Sequence, residues 1–200
     1  MGLSNTPLPV GNYGIVAGSG QRDVITGIGA QIVLAGGSAD VLSGDTVKAA
    51  DGTTDLIPWL VGGEDNDQYY TKQTQRVIIS DLKGGDDTVY VDSIRFKNAQ
   101  IRTIADRDIL ISNGETQVLL IDPAGRSSEN NELERIVFAD REVKGKKLQK
   151  AAAKAKIDWG KTTLAEQSTL GSLPLEASGI DLNLFDGYLS SIIYNNGLVF

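Results

Sequence analysis

The segment Gly62-Gly63-Glu64-Asp65-Asn66-Asp67-Gln68-Tyr69-Tyr70 combines residue types that can hold a hard cation. Paired glycines let the chain turn tightly and bring backbone carbonyls beside the Asp67 carboxylate, and the apolar Tyr69 position then starts a strand that anchors the turn in a core. Two such turns stacked one above the other supply about six oxygens, which is what Ca²⁺ takes. Three weaker copies surround it: Gly36-Gly37-Ser38-Ala39-Asp40-Val41-Leu42, Gly18-Ser19-Gly20-Gln21-Arg22-Asp23-Val24-Ile25 and Gly84-Gly85-Asp86-Asp87-Thr88-Val89-Tyr90. Gly-Gly and Gly-Asp pairs also form ordinary metal-free turns, so both readings stand at this level.

The composition favours oxygen chemistry by exclusion. The 200 residues include no Cys and no His, 23 Gly, 26 acidic and 19 basic side chains, for a net charge of −7. Disulfides, thiolate or imidazole zinc sites, and Ser-His-Asp or Cys-His nucleophile systems are therefore excluded. An acidic chain without aromatic interleaving in its basic segment is a poor nucleic-acid binder. No apolar run approaches the roughly 20 residues of a membrane-spanning helix. The N-terminus lacks the basic-then-apolar pattern of a secretory leader, although Gly2 and Thr6 fit a loose myristoylation pattern.

The elements that must position the turns are short strands. Val24-Ile25, Ile32-Val33-Leu34, Val41-Leu42 and Val77-Ile78-Ile79 are β-branched runs between Gly/Asp/Ser clusters. Asp23-Val24-Ile25-Thr26-Gly27 recurs as Asp40-Val41-Leu42-Ser43-Gly44, 17 residues later, with a half-period near nine.

Residues 62–94 resemble the hemolysin-type (RTX) calcium-binding unit, a Gly-rich turn, a strand, an acidic stretch and a second turn-strand; Asp65 stands where its repeat has Gly. The segments Asp108–Ser112, Gln117–Asp122 and Leu133–Asp140 are similar to the β-rich module that often follows such repeats, with Arg141 in place of the closing Gly. The resemblance covers about residues 18–143, most specifically 62–94 and 106–140. It implies a degenerate parallel β-roll, or β-solenoid, with calcium-assisted folding outside the cell and type I secretion through an uncleaved C-terminal signal. For the calcium ligands it points to the Gly63 carbonyl, Asp65, Asp67 and Asp86, with Asp40 and Asp45 as weaker candidates.

Charge divides the remainder. Residues 1–139 carry −8, residues 140–161 carry +5, and residues 162–200 carry −4 with no Lys or Arg. Residues 141–159 hold the strongest helix signal, with Leu148, Ala152, Ala155 and Trp159 on one apolar stripe and Lys147, Lys150 and Lys154 mostly on other faces. This segment reads as a solvated Lys face whose stripe packs on the acidic body, or as a docking helix for an anionic partner. The tail, apolar from Leu182 to Tyr194, reads as a secretion signal or as an arm that packs on the body or between subunits.

The expected architecture is thus all-β: a degenerate RTX-like β-roll over 1–93, a β-rich module over 94–143, and a Lys-rich helix with an apolar tail over 144–200. The expected function is non-enzymatic: a calcium-binding structural or adhesive protein of an extracellular or particle assembly (surface layer, coat or phage virion), self-associating or joined to another structural protein or an anionic polysaccharide. The alternatives are a secreted polysaccharide-acting enzyme or its calcium-dependent accessory module. No G-x-S-x-G or H-E-x-x-H motif is present, and no carboxylate pair is singled out by spacing.

Overall fold

A computed structural model describes residues 14–29, 31–48, 50, 52, 55–72, 76–81, 84–104, 108–121 and 133–152. The apolar tail at 162–200 and the helix-stripe positions Ala155 and Trp159 lie outside these residues.

Two sheets share the strands. A seven-stranded sheet holds β1 (Gly14–Ala17), β3 (Gln31–Leu34), β7 (Trp59–Val61), β9 (Arg76–Ser80), β13 (Gln117–Leu120), β12 (Asp108–Ser112) and β11 (Gln100–Ile104), in that spatial order. A six-stranded sheet holds β15 (Arg141–Lys144), β14 (Arg135–Phe138), β10 (Thr88–Val91), β8 (Gln68–Tyr70), β4 (Val41–Asp45) and β2 (Val24–Ile28). A small hairpin, β5 (Val47–Lys48) with β6 (Asp55–Leu56), stands apart.

From β1 to β4 and again from β7 to β10 the chain alternates between the two sheets, and each strand lies parallel to the one laid down a circuit earlier. The 17-residue repeat read in the sequence is one such circuit: Val24, Ile25, Thr26 and Gly27 stand in register with Val41, Leu42, Ser43 and Gly44. Longer circuits absorb insertions, the β5–β6 hairpin in one and a 3-10 turn (Phe96–Asn98) with β11 and β12 in another. The parallel pairs β9–β13 and β10–β14 join residues on both sides of position 93, so both sheets run on across that expected boundary.

Burial follows the strand sequences. In the seven-stranded sheet β7, β12 and β13 are buried along their whole length, the pattern of strands covered on both faces. In the six-stranded sheet β4 and β14 alternate. Ile25, Leu42, Tyr69, Val89, Ile136 and Val143 form its inward row, and all but Ile25 are fully buried. Thr26, Ser43, Tyr70, Tyr90 and Val137 line the other face, where the Tyr70 and Tyr90 rings stack with centroids 4.4 Å apart.

At the end of the stack remote from β1 and β2, antiparallel pairing takes over: β11 on β12, β12 on β13, and β15 on β14. A helix, α1 (Gly145–Ala152), follows and lies against β11 and β15. It begins at Gly145 and not at the expected Arg141, because Arg141–Lys144 pair with β14 as a strand, and the Gly145 N–H donates to the Glu134 carbonyl where strand gives way to helix; the expected positions 153–159 lie outside the described residues. Leu148 is fully buried, Ala151 packs on the core, and Lys147 and Lys150 are exposed. Among the described residues no helix is long and apolar enough to cross a membrane.

Candidate metal centre

The corners leading from the seven-stranded sheet into the six-stranded one carry the acidic side chains. Asp23, Asp40, Asp67, Asp87 and Glu134 each stand immediately before a strand of the six-stranded sheet. They stack as a column held by one repeated hydrogen bond. The Asp23 N–H donates to Asp40 Oδ1 (2.7 Å), the Asp40 N–H to Asp67 Oδ1 (2.8 Å), the Asp67 N–H to Asp87 Oδ1 (2.7 Å) and the Asp87 N–H to Glu134 Oε2 (2.7 Å). Each carboxylate thus satisfies a corner amide that the sheet ladder leaves over, which accounts for an acid at this position in every circuit.

At one level the column meets a further acid. Asp81, directly after β9, joins Asp67 and Asp87, and one carboxylate oxygen from each lies within 4.8 Å of the others. All three residues are buried, to 1 % exposure or less. The Tyr69 hydroxyl lies 3.1 Å from Asp81 Oδ1 and 3.3 Å from the Ser80 carbonyl, and the Gly84 N–H donates to Asp81 Oδ2 (3.1 Å). The Gly63 N–H donates to Asp67 Oδ2 (2.8 Å). Asp87 Oδ2 is buried without a hydrogen-bond partner.

Gly62 forms a wall of this corner. A Cβ there would run into the Asp67 carboxylate and the Tyr69 hydroxyl and stand 2.7 Å from Asp81 Oδ1, so only glycine lets these three groups close on the turn. The left-handed residue of the turn is Asp65 (φ 74°), not either member of the glycine pair. The tight turn expected of the glycine pair thus has its left-handed residue two positions beyond Gly63. Gly63 serves close approach instead, since its Cβ would collide with the Gly36 carbonyl of the previous circuit.

Three carboxylates crowded out of water resist ionising together. Burial, and next the charge of Asp81, pushes Asp87 up to about 8, and burial pushes Asp67 up to about 6 against the pull of the Asp40 and Gly63 amides. Burial and the neighbouring carboxylates hold the Tyr69 phenol well above its ordinary range, so it stays a donor. Either protons or a cation must neutralise such a corner. The donor set is all oxygen, and the three clustered carboxylates with the orphaned Asp87 Oδ2 fit a hard divalent ion.

The structure brings together only part of the ligand set expected from the sequence. Asp67 is central. Gly63 is buried beside it and presents its N–H to Asp67, where its carbonyl was expected to matter. Asp65 is exposed at the left-handed turn position. Asp86 is exposed too, donating its N–H to Asn66 Oδ1 (2.8 Å) and pairing with Arg135 at 3.3 Å, while its neighbour Asp87 enters the cluster. Asp40 belongs to the column one circuit away, and Asp45 pairs with Lys72 at 2.7 Å. Sequence reasoning missed Asp87 and Asp81. Asp87 was legible from its place directly before Thr88-Val89-Tyr90, as Asp40 precedes Val41-Leu42; Asp81 carries no periodic signal.

Fold and cluster define a class: an all-β chain of largely parallel strands with a buried three-carboxylate corner. No family model matches the chain, and a search of the curated proteins returns no match.

Proposed function

We propose that this protein is a non-enzymatic calcium-binding structural or adhesive module, a degenerate parallel β-roll in which the ion braces the corner between circuits. The observation that carries the reading is the buried cluster of the Asp67, Asp81 and Asp87 carboxylates, in which Asp87 Oδ2 has no hydrogen-bond partner. The strand path fits the same reading, because circuits of parallel strands bring carboxylates from residues 20 apart, Asp67 and Asp87, into one corner. Asp67, Asp81 and Asp87 would hold the ion, with the Tyr69 hydroxyl steadying Asp81. Bound only by the folded chain, calcium stabilises it and biases folding towards calcium-rich surroundings, as an extracellular or particle component requires.

Terbium is the direct probe, since Tyr69 and Trp59 lie close enough to the corner to sensitise its luminescence: the Trp59 indole N–H donates to Ser80 Oγ, next to Asp81. Saturable terbium emission that calcium competes away, present in the wild type and lost in Asp87→Asn, is the expected result. No emission and an identical melting curve with millimolar calcium or with chelator would overturn the reading.

A further inference from the structure

The two ends of the strand stack differ. One end is closed by antiparallel strands and α1, which lies against both β11 and β15. The other ends on β1 and β2, the edge strands of the two sheets. The exposed large hydrophobic residues among those described are Ile15 on β1 and Val24 and Ile28 on β2, and Val24 is 78 % exposed. Neither strand contains a Lys or Pro, the residues that commonly protect an edge from pairing.

From this we infer that the open end is an interface that pairs antiparallel with the same end of a second copy, β2 against β2, about a two-fold axis through Thr26. The Asp23 carbonyl accepts from the Val41 N–H, so alternate residues of β2 turn their backbone towards β4, and Val24, Thr26 and Ile28 turn theirs outward, where the Ile28 N–H meets the Gln31 side chain (Oε1, 2.8 Å), a polar cap that the partner strand displaces. An antiparallel partner centred on Thr26 sets Val24 of each copy opposite Ile28 of the other and Thr26 opposite Thr26. Apolar β-branched residues then face each other on both sides of a Thr–Thr pair, a self-complementary arrangement. The same register places Asp23 across from Gly29, so the two acidic columns do not abut.

An axis perpendicular to the sheets lets β1 pair with β1 at the same time, extending both sheets. The closed far end makes the product a dimer and not a filament, because a head-to-tail contact would have to displace α1.

Sedimentation equilibrium of the full chain tests this, with a dimer of twice 21.3 kDa expected at micromolar concentration. Thr26 is exposed, so Thr26→Lys leaves the fold intact by circular dichroism, yet it sets like charges opposite each other and converts the dimer to monomer. Thr26→Cys, the only thiol in a chain without cysteine, is expected to form an intermolecular disulfide under mild oxidation, as paired strand positions lie within disulfide reach; Glu115→Cys, exposed in a loop elsewhere, serves as the control and is expected not to. A wild type that stays monomeric, including one whose β2 amides are protected from hydrogen exchange by its own chain, overturns the proposal. So does a dimer that survives Thr26→Lys, or a Thr26→Cys that cross-links no faster than the control.

Discussion

Asp86 and Asp87 are adjacent and chemically identical, yet one faces water and the other is buried against two further acids. Replacing each by Asn separates the roles. Asp87→Asn keeps an acceptor for the Asp67 N–H but removes the charge, so we expect terbium or calcium affinity to fall at least tenfold while the metal-free protein melts no lower than the wild type. Asp86→Asn is expected to leave ion binding unchanged in the same titration. The raised carboxyls also set a pH dependence. Asp67 and Asp87 hold protons in the folded state, to about 6 and about 8, that the unfolded chain releases near 3.8. This contribution to metal-free stability is therefore complete below about pH 4 and is lost as pH rises towards 8. Melting in chelator across that range is expected to show the decline, and calcium, which replaces the protons, to flatten it. A flat profile in chelator would argue against an isolated acidic cluster.

Corners between strands depend on glycine in two distinct ways. At Gly63 the need is proximity: a methyl group would strike the Gly36 carbonyl, and backbone on both sides leaves little room to yield. We expect Gly63→Ala to cost about 1–3 kcal/mol, the usual range for overpacking, in chemical denaturation. Gly20→Ala, with nothing within 4 Å of the new carbon, is expected to be neutral or mildly stabilising. At Asp65 the issue is the left-handed backbone (φ 74°), which an aspartate tolerates at a cost. Asp65→Gly is expected to gain up to about 1 kcal/mol and to leave calcium affinity intact, whereas a ligand at this position would show weaker binding.

Across the molecule, the parallel pairs β9–β13 and β10–β14 tie residues before and after position 93 into the same two sheets. An ion at the Asp67–Asp81–Asp87 corner therefore acts on the whole stack. A ligand at a hundredfold excess over Kd adds about 2.7 kcal/mol. For a chain of this size that corresponds to a rise in Tm of about 5–10 °C. We expect calorimetry to show one transition for the sheets, shifted upward by millimolar calcium. Two transitions, only one of them calcium-sensitive, would mean that the sheets do not cooperate.

Local pattern was enough for the all-β class, for the 17-residue circuit and for a corner at Asp67, because strand-forming runs, turn residues and a short-range repeat are written within a few residues of each other. Which acids share the buried corner was not legible in that way. Asp81 follows a strand of one sheet, whereas Asp67 and Asp87 precede strands of the other, and only stacking of successive circuits brings them within 4.8 Å. The choice of Asp87 over Asp86 turns on a one-residue register, since Thr88 pairs with Gln68 and so sets Asp87 level with Asp67. Where the parallel ladder stops was likewise settled by tertiary packing: Arg141–Lys144 have the composition of a helix start, but the open edge of β14 supplies backbone partners that convert them to a strand.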